Sequence, residues 1–158
     1  MHEAIRKKLI YEIQHIDELI ESFAPLLGAT QVREPDLVEL SALATVLHSF
    51  YGGVENIFTM IAKNLDHRTP TGTKWHKELL DQMAIATESR TAIVGGTLRD
   101  KLIDYLSFRH FFRNSYAYQL DWDQLRPLVR SMKETWTELK KLVQTVMDLD
   151  HLETEDPV

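Results

Sequence analysis

The feature that most constrains this chain is an apolar stripe that begins after Pro35 and Asp36: Leu37, Leu40, Leu43, Ala44, Leu47, Phe50, Val54, Ile57, Phe58, Ile61 and Leu65. Steps of three and four keep side chains on one face of an α-helix, and over this length they predict a single helix of about eight turns. Such a helix must bury its stripe against partners. The same period in Ile5, Leu9, Ile13, Ile16, Ile20 and Phe23 predicts a first helix over about residues 2–23, stopped before Pro25. It returns in Leu125, Leu128, Val129, Met132, Trp136, Leu139, Leu142, Val143 and Val146, which predicts a last helix over about residues 123–147, with Asp121 to Asp123 as its turn and cap. Between them, residues 66–73 are dense in turn formers and read as a surface connection. A short helix follows over about residues 74–86, with Trp75, Leu79, Leu80 and Met83 inward. Residues 87–96 carry no clear period, and Thr97 then caps a fourth helix that reaches about Ala117. No window alternates apolar and polar residues as a strand requires. The fold class is therefore all-α: an up-and-down helical bundle of about four long helices plus one short helix. Gly52 and Gly53 fall inside the second helix, where each costs on the order of 1 kcal/mol relative to alanine, so close packing against another backbone is expected there.

A chain of 158 residues supplies one core, and the reading is a single domain over residues 1–150 followed by an acidic C-terminal tail, frayed, over 151–158. Asp and Glu total 24 against 18 Lys and Arg, a formal net charge of -6, which argues against coating nucleic acid or an anionic membrane through overall charge. A local basic patch is compatible with it. The chain has no cysteine, which excludes disulfide frameworks, thiolate nucleophiles and iron-sulfur clusters. Charges interrupt each apolar run before the roughly 18 residues that a bilayer span needs, and the N-terminal residues hold no continuous apolar signal segment, so no membrane association and a cytoplasmic location are expected.

Di-iron bundles use two Glu-x-x-His pairs, and only Glu12 to His15 fits that spacing, so these read as surface residues and no metal or cofactor is expected. His48 could join a histidine site but reads first as a half-buried residue with a hydrogen-bond partner. Trp75, Trp122 and Trp136 read as core anchors and His76 as a solvated first-turn residue.

Residues 108–118 are different. On a continuous helix at 100° per residue, Arg109, Arg113 and Tyr116 fall within about 60° of one another, His110 and Asn114 occupy the adjoining strip, and Phe108, Phe111 and Phe112 lie opposite. Guanidinium, imidazole, amide and phenol groups beside an aromatic wedge suit a phosphate-binding surface with a stacking option. The plainer account of these arginines is a solvated face paired with nearby acids such as Asp121 or Asp123.

In residues 108–122, in residues 48–58 and in residues 70–80, the sequence resembles the HepT-like proteins of the HEPN superfamily. The resemblance implies a HEPN-like helical fold, a minimal metal-independent ribonuclease, and a toxin-type partner of a small nucleotidyltransferase antitoxin. The signature it implies is an arginine followed by a polar residue, with a histidine four to six positions after the arginine. Arg109 and His110 match the first two positions, while Asn114 stands where the histidine is expected. Tyr116 stands where the toxin branch accepts AMP, with Tyr118 as its neighbour. The resemblance further implies a homodimer in which Arg109 and Arg113 from both copies face one RNA-binding cleft, with Gly52-Gly53 a fitting place for close helix contact. An amide cannot shuttle protons near neutral pH, so cleavage of RNA by 2′-hydroxyl transesterification is expected to be feeble unless His110 takes over. The alternative is a catalytically inactive interaction subunit that binds the nucleotidyltransferase.

Overall fold

The computed structural model describes residues 3–154. The first stripe forms α1 (Glu3–Ser22), which buries Leu9, Ile13, Ile16 and Ile20. Pro25 ends it as expected, and the same proline sits in the first turn of a helix the periodicity did not reveal, α2 (Ala24–Ala29). Proline is suited there because its missing N–H would find no partner in a first turn. The central helix is α3 (Leu37–Asn64). Its start is fixed by a capping box: Asp36 Oδ1 accepts from the Glu39 N–H at 2.8 Å, and Glu39 Oε1 accepts from the Asp36 N–H at 3.1 Å. Arg33 donates twice to Glu39, at 2.8 and 2.6 Å, and this bonding holds the Glu39 carboxyl at about 2.

Three further helices follow: α4 (Trp75–Met83), α5 (Gly96–Asn114) and α6 (Trp122–Thr154), with a single 3₁₀ turn at Ala117–Gln119. Among the described residues there is no strand, only an isolated pairing of Thr87 with Arg90. The all-α bundle of four long helices and one short helix is thus present, with α2 added. Several boundaries differ from the reading of the sequence. The short helix stops at Met83, and α5 begins ahead of Thr97, with Gly95 at its N-cap and no side-chain cap. Asp121 caps α6, accepting from the Asp123 N–H at 2.9 Å. That helix continues past Met147 to Thr154, through the first half of the stretch read as a frayed tail; residues 155–158 lie outside the described residues.

The connections are pinned rather than loose. Asp66, expected in a surface turn, is half-buried, and its buried side chain accepts from Arg90 Nη2 at 2.6 Å and from Gln82 Nε2 at 2.6 Å. Arg90 also donates to the carbonyls of Ile85, Gln82 and Thr91, so one guanidinium satisfies the aperiodic segment between α4 and α5.

α3 touches α1, α4, α5 and α6 and organises the core. Phe50 makes edge contacts with Tyr105 on one side and Trp136 on the other, at 5.2 and 6.3 Å between ring centroids. Trp122 and Trp136 are buried, as their ring area suggested, and Trp136 donates its indole N–H to Asp17 at 2.7 Å. By length and average composition α3 would suffice to cross a bilayer, yet thirteen of its residues are buried among the other helices.

The glycine pair is explained within one chain. A Cβ at Gly53 would stand 2.8 Å from Ile16 Cγ1 and 2.9 Å from Cδ1, so the missing side chain is what lets α1 lie against α3. A Cβ at Gly52 would meet the Arg109 guanidinium at an ordinary 3.7 Å. The expected close helix contact is therefore made by α1, a neighbour in the same chain, at the glycine assigned above to a dimer contact. Helix propensity alone predicts that Gly53→Ala stabilises by about 1 kcal/mol. The packing predicts the reverse, a loss of about 1–2 kcal/mol in urea unfolding, because the buried, β-branched Ile16 has little room to move. Pairing Gly53→Ala with Ile16→Ala should shrink that penalty relative to the Ile16→Ala background.

Candidate functional site

α5 ends at Asn114, three residues earlier than its sequence pattern suggested. Ser115 takes an extended conformation at φ −102° and ψ 155°, the Asn114 amide donates back to the His110 carbonyl at 3.3 Å, and the Ser115 hydroxyl donates to the Phe112 carbonyl at 3.4 Å. Side-chain bonding of this kind competes with helix continuation. Arg109, His110, Arg113 and Asn114 remain on the helix, but Tyr116 leaves the face they share. It lies in the connection to the 3₁₀ turn, its N–H bonded to Gln119 Oε1 at 2.8 Å. Tyr116 and Tyr118 stack at 5.9 Å with planes 9° apart, 70 and 74% exposed.

Arg109 does not pair with Asp121 or Asp123. Its Nη1 donates to Oε1 of Glu55 at 2.9 Å, across the gap between α5 and α3. Glu55 is buried, its side chain 7% exposed, and its other oxygen lies 2.6 Å from Nδ1 of His76 on α4. His76, read from sequence as solvated, is only 14% exposed at its side chain, its ring stacked on Trp75 at 3.6 Å. The His110 ring approaches His76 edge-on at 5.4 Å. One carboxylate thus joins three helices, and an arginine and two imidazoles gather around it.

A second histidine group borders Arg109. An open groove of about 420 Å³ between α1, α3 and α5 is lined by Glu12, His15, His48, Asn56 and Arg109. His48 packs against Phe112 at 5.1 Å, so Phe112 serves this cluster instead of standing opposite it. The hydrogen-bond partner expected for His48 is missing: its Nδ1 and the Nε of Arg109 are buried without a partner among the described residues. Burial, and then the charges of Arg109 and Arg113, push the His48 imidazole below the ordinary histidine value. Arg113 and Asn114 are exposed, and no ion pair holds Arg113 among the described residues. Glu12 and His15 sit at the groove edge, and no cluster of three metal-ligating side chains occurs among the described residues.

Glu55 and His76 escaped the sequence reading, and both carried a signal. Glu55 falls between Tyr51, Val54 and Phe58 on the buried stripe of α3, where a carboxylate is tolerated only with a partner. His76 precedes the buried Leu79 and Leu80 by three and four residues, which is the inward face of α4.

The depressed His48 has a consequence for stability. The folded chain keeps this imidazole neutral while the unfolded chain takes up a proton, so stability is present above the ordinary histidine value and is lost as pH falls through it. Between about pH 7.5 and about pH 5.5, on either side of the ordinary value, the melting temperature of the wild type should fall further than that of His48→Gln. Equal slopes would contradict this.

A family model for HepT-like proteins matches residues 42–149, a span that includes Glu55, His76 and all of α5. No curated protein and no solved structure matches the chain.

Proposed function

The chain belongs to the HepT-like proteins of the HEPN superfamily, and from that premise we propose that it is a toxin-type RNA-binding protein. The observation that carries the reading is Arg109 itself, held by a buried carboxylate while its guanidinium faces an open groove between α1, α3 and α5. A fixed guanidinium recognises a phosphodiester at lower entropic cost than a mobile one, and the exposed Arg113, without an ion pair among the described residues, adds a second cation. A second copy docked across this face would double the local positive charge and reconcile an acidic chain with RNA affinity. Cleavage in this reading is metal-independent transesterification, and Asn114, which stands at the position of the expected histidine, cannot carry its proton.

Anisotropy of a labelled oligoribonucleotide tests the binding half. Arg109→Ala should weaken binding about 10- to 100-fold, the range of a charge-assisted hydrogen bond. Arg113→Ala, which breaks no ion pair among the described residues, should weaken it less, and log affinity should fall with log salt by about 0.7 per phosphate contacted. RNA affinity unchanged in both variants would remove the reading.

The exposed Tyr116 and Tyr118 favour a companion role, as the surface offered to a nucleotidyltransferase antitoxin. With such a partner and ATP, Tyr116 should gain one AMP by mass spectrometry, and Tyr116→Phe should abolish the gain. Modification that persists in Tyr116→Phe would move the acceptor elsewhere, with Tyr118 the neighbouring candidate.

A further inference from the structure

We propose that His76, on α4, is the proton-accepting residue of the RNA-cleaving site, supplying from a different helix the imidazole that Asn114 lacks. This inference rests on the ribonuclease reading above and adds the residue that performs its proton transfer. The geometry behind it is the Glu55 carboxylate. An ionised carboxylate only accepts hydrogen bonds, so the 2.6 Å contact requires His76 Nδ1 to carry a hydrogen. That fixes the tautomer: in the neutral ring Nε2 holds the lone pair, and the carboxylate orients the imidazole for use as a base. The stacked Trp75 and the edge-on His110 confine the ring further. Arg109 sits on the other oxygen of the same carboxylate, so guanidinium and imidazole are both positioned by one buried group.

The step balances with these groups alone. Nε2 of His76 takes the proton of the ribose 2′-hydroxyl as the 2′-oxygen bonds to phosphorus. The bond from phosphorus to the 5′-oxygen breaks, and the leaving oxygen takes a proton from the His110 imidazolium. The products are a 2′,3′-cyclic phosphate and a 5′-hydroxyl, and Arg109 faces the negative charge that builds on the phosphoryl oxygens. The groups that face His76 are Glu55 from α3 and His110 from α5, with Arg109 reaching it through Glu55.

The test uses His76→Asn, whose amide can donate to Glu55 as Nδ1 does but takes up no proton. Cleavage of a short single-stranded oligoribonucleotide, followed by appearance of the cyclic phosphate, should fall about 10²- to 10⁴-fold. The melting temperature and the affinity for an all-2′-deoxy analogue, which cannot be cut, should stay close to wild type. His110→Asn should also slow cleavage. Cleavage by His76→Asn at the wild-type rate overturns the assignment. A wild type that binds RNA without cutting it overturns this inference and leaves the binding function standing, whereas a wild type that neither binds nor cuts RNA overturns both.

Discussion

Both oxygens of one buried carboxylate are engaged, Oε1 of Glu55 by Arg109 and Oε2 by His76, and the candidate site depends on that arrangement. Removing a carboxylate from water costs several kcal/mol, and attraction alone repays this only with good geometry and full hydrogen bonding. Glu55 meets both conditions because α3 is the helix that touches nearly every other one, so partners from α4 and α5 reach it together. Apolar packing holds the helices in place. The carboxylate then sets where a guanidinium and an imidazole stand relative to each other, which apolar contacts cannot do with comparable directionality.

Packing elsewhere makes that position firm. Gly53 lets α1 close against α3 at Ile16, and α1 forms one wall of the groove that Arg109 faces. The buried Asp66–Arg90 pair, with Gln82, anchors the segment that leads from α4 into α5. It thereby links the helix that carries His76 to the helix that carries Arg109. His48 is a local weakness in this construction, a desolvated imidazole beside two cations with a buried nitrogen that has no partner among the described residues. Polar groups left in that condition cost stability and are often found where a protein meets a ligand.

Most of the fold was legible because helical periodicity is a local property. The stripes of α1, α3 and α6 gave their helices to within a few residues at most ends, and the glycine pair correctly signalled close packing. What was not legible depended on contacts far apart in sequence. Glu55 and Arg109 are 54 positions apart, and Glu55 and His76 are 21 apart, so no spacing rule joins them. His76 looked solvated because a histidine in a first turn usually is. The polar face of α5 was read correctly through Asn114 and wrongly beyond it, since Ser115 turns out of the helix and carries Tyr116 away from the arginines. α2 was hidden because a six-residue helix, with no residue buried, is too short to show a period.

The central claim is that Glu55 couples energetically to both Arg109 and His76. Double-mutant cycles by urea unfolding test it directly, with Glu55→Gln combined in turn with Arg109→Met and His76→Leu. The account predicts coupling of about 0.5–3 kcal/mol in each cycle, the range for residues that share one buried network. Additive effects, with coupling below about 0.3 kcal/mol in both cycles, would contradict it.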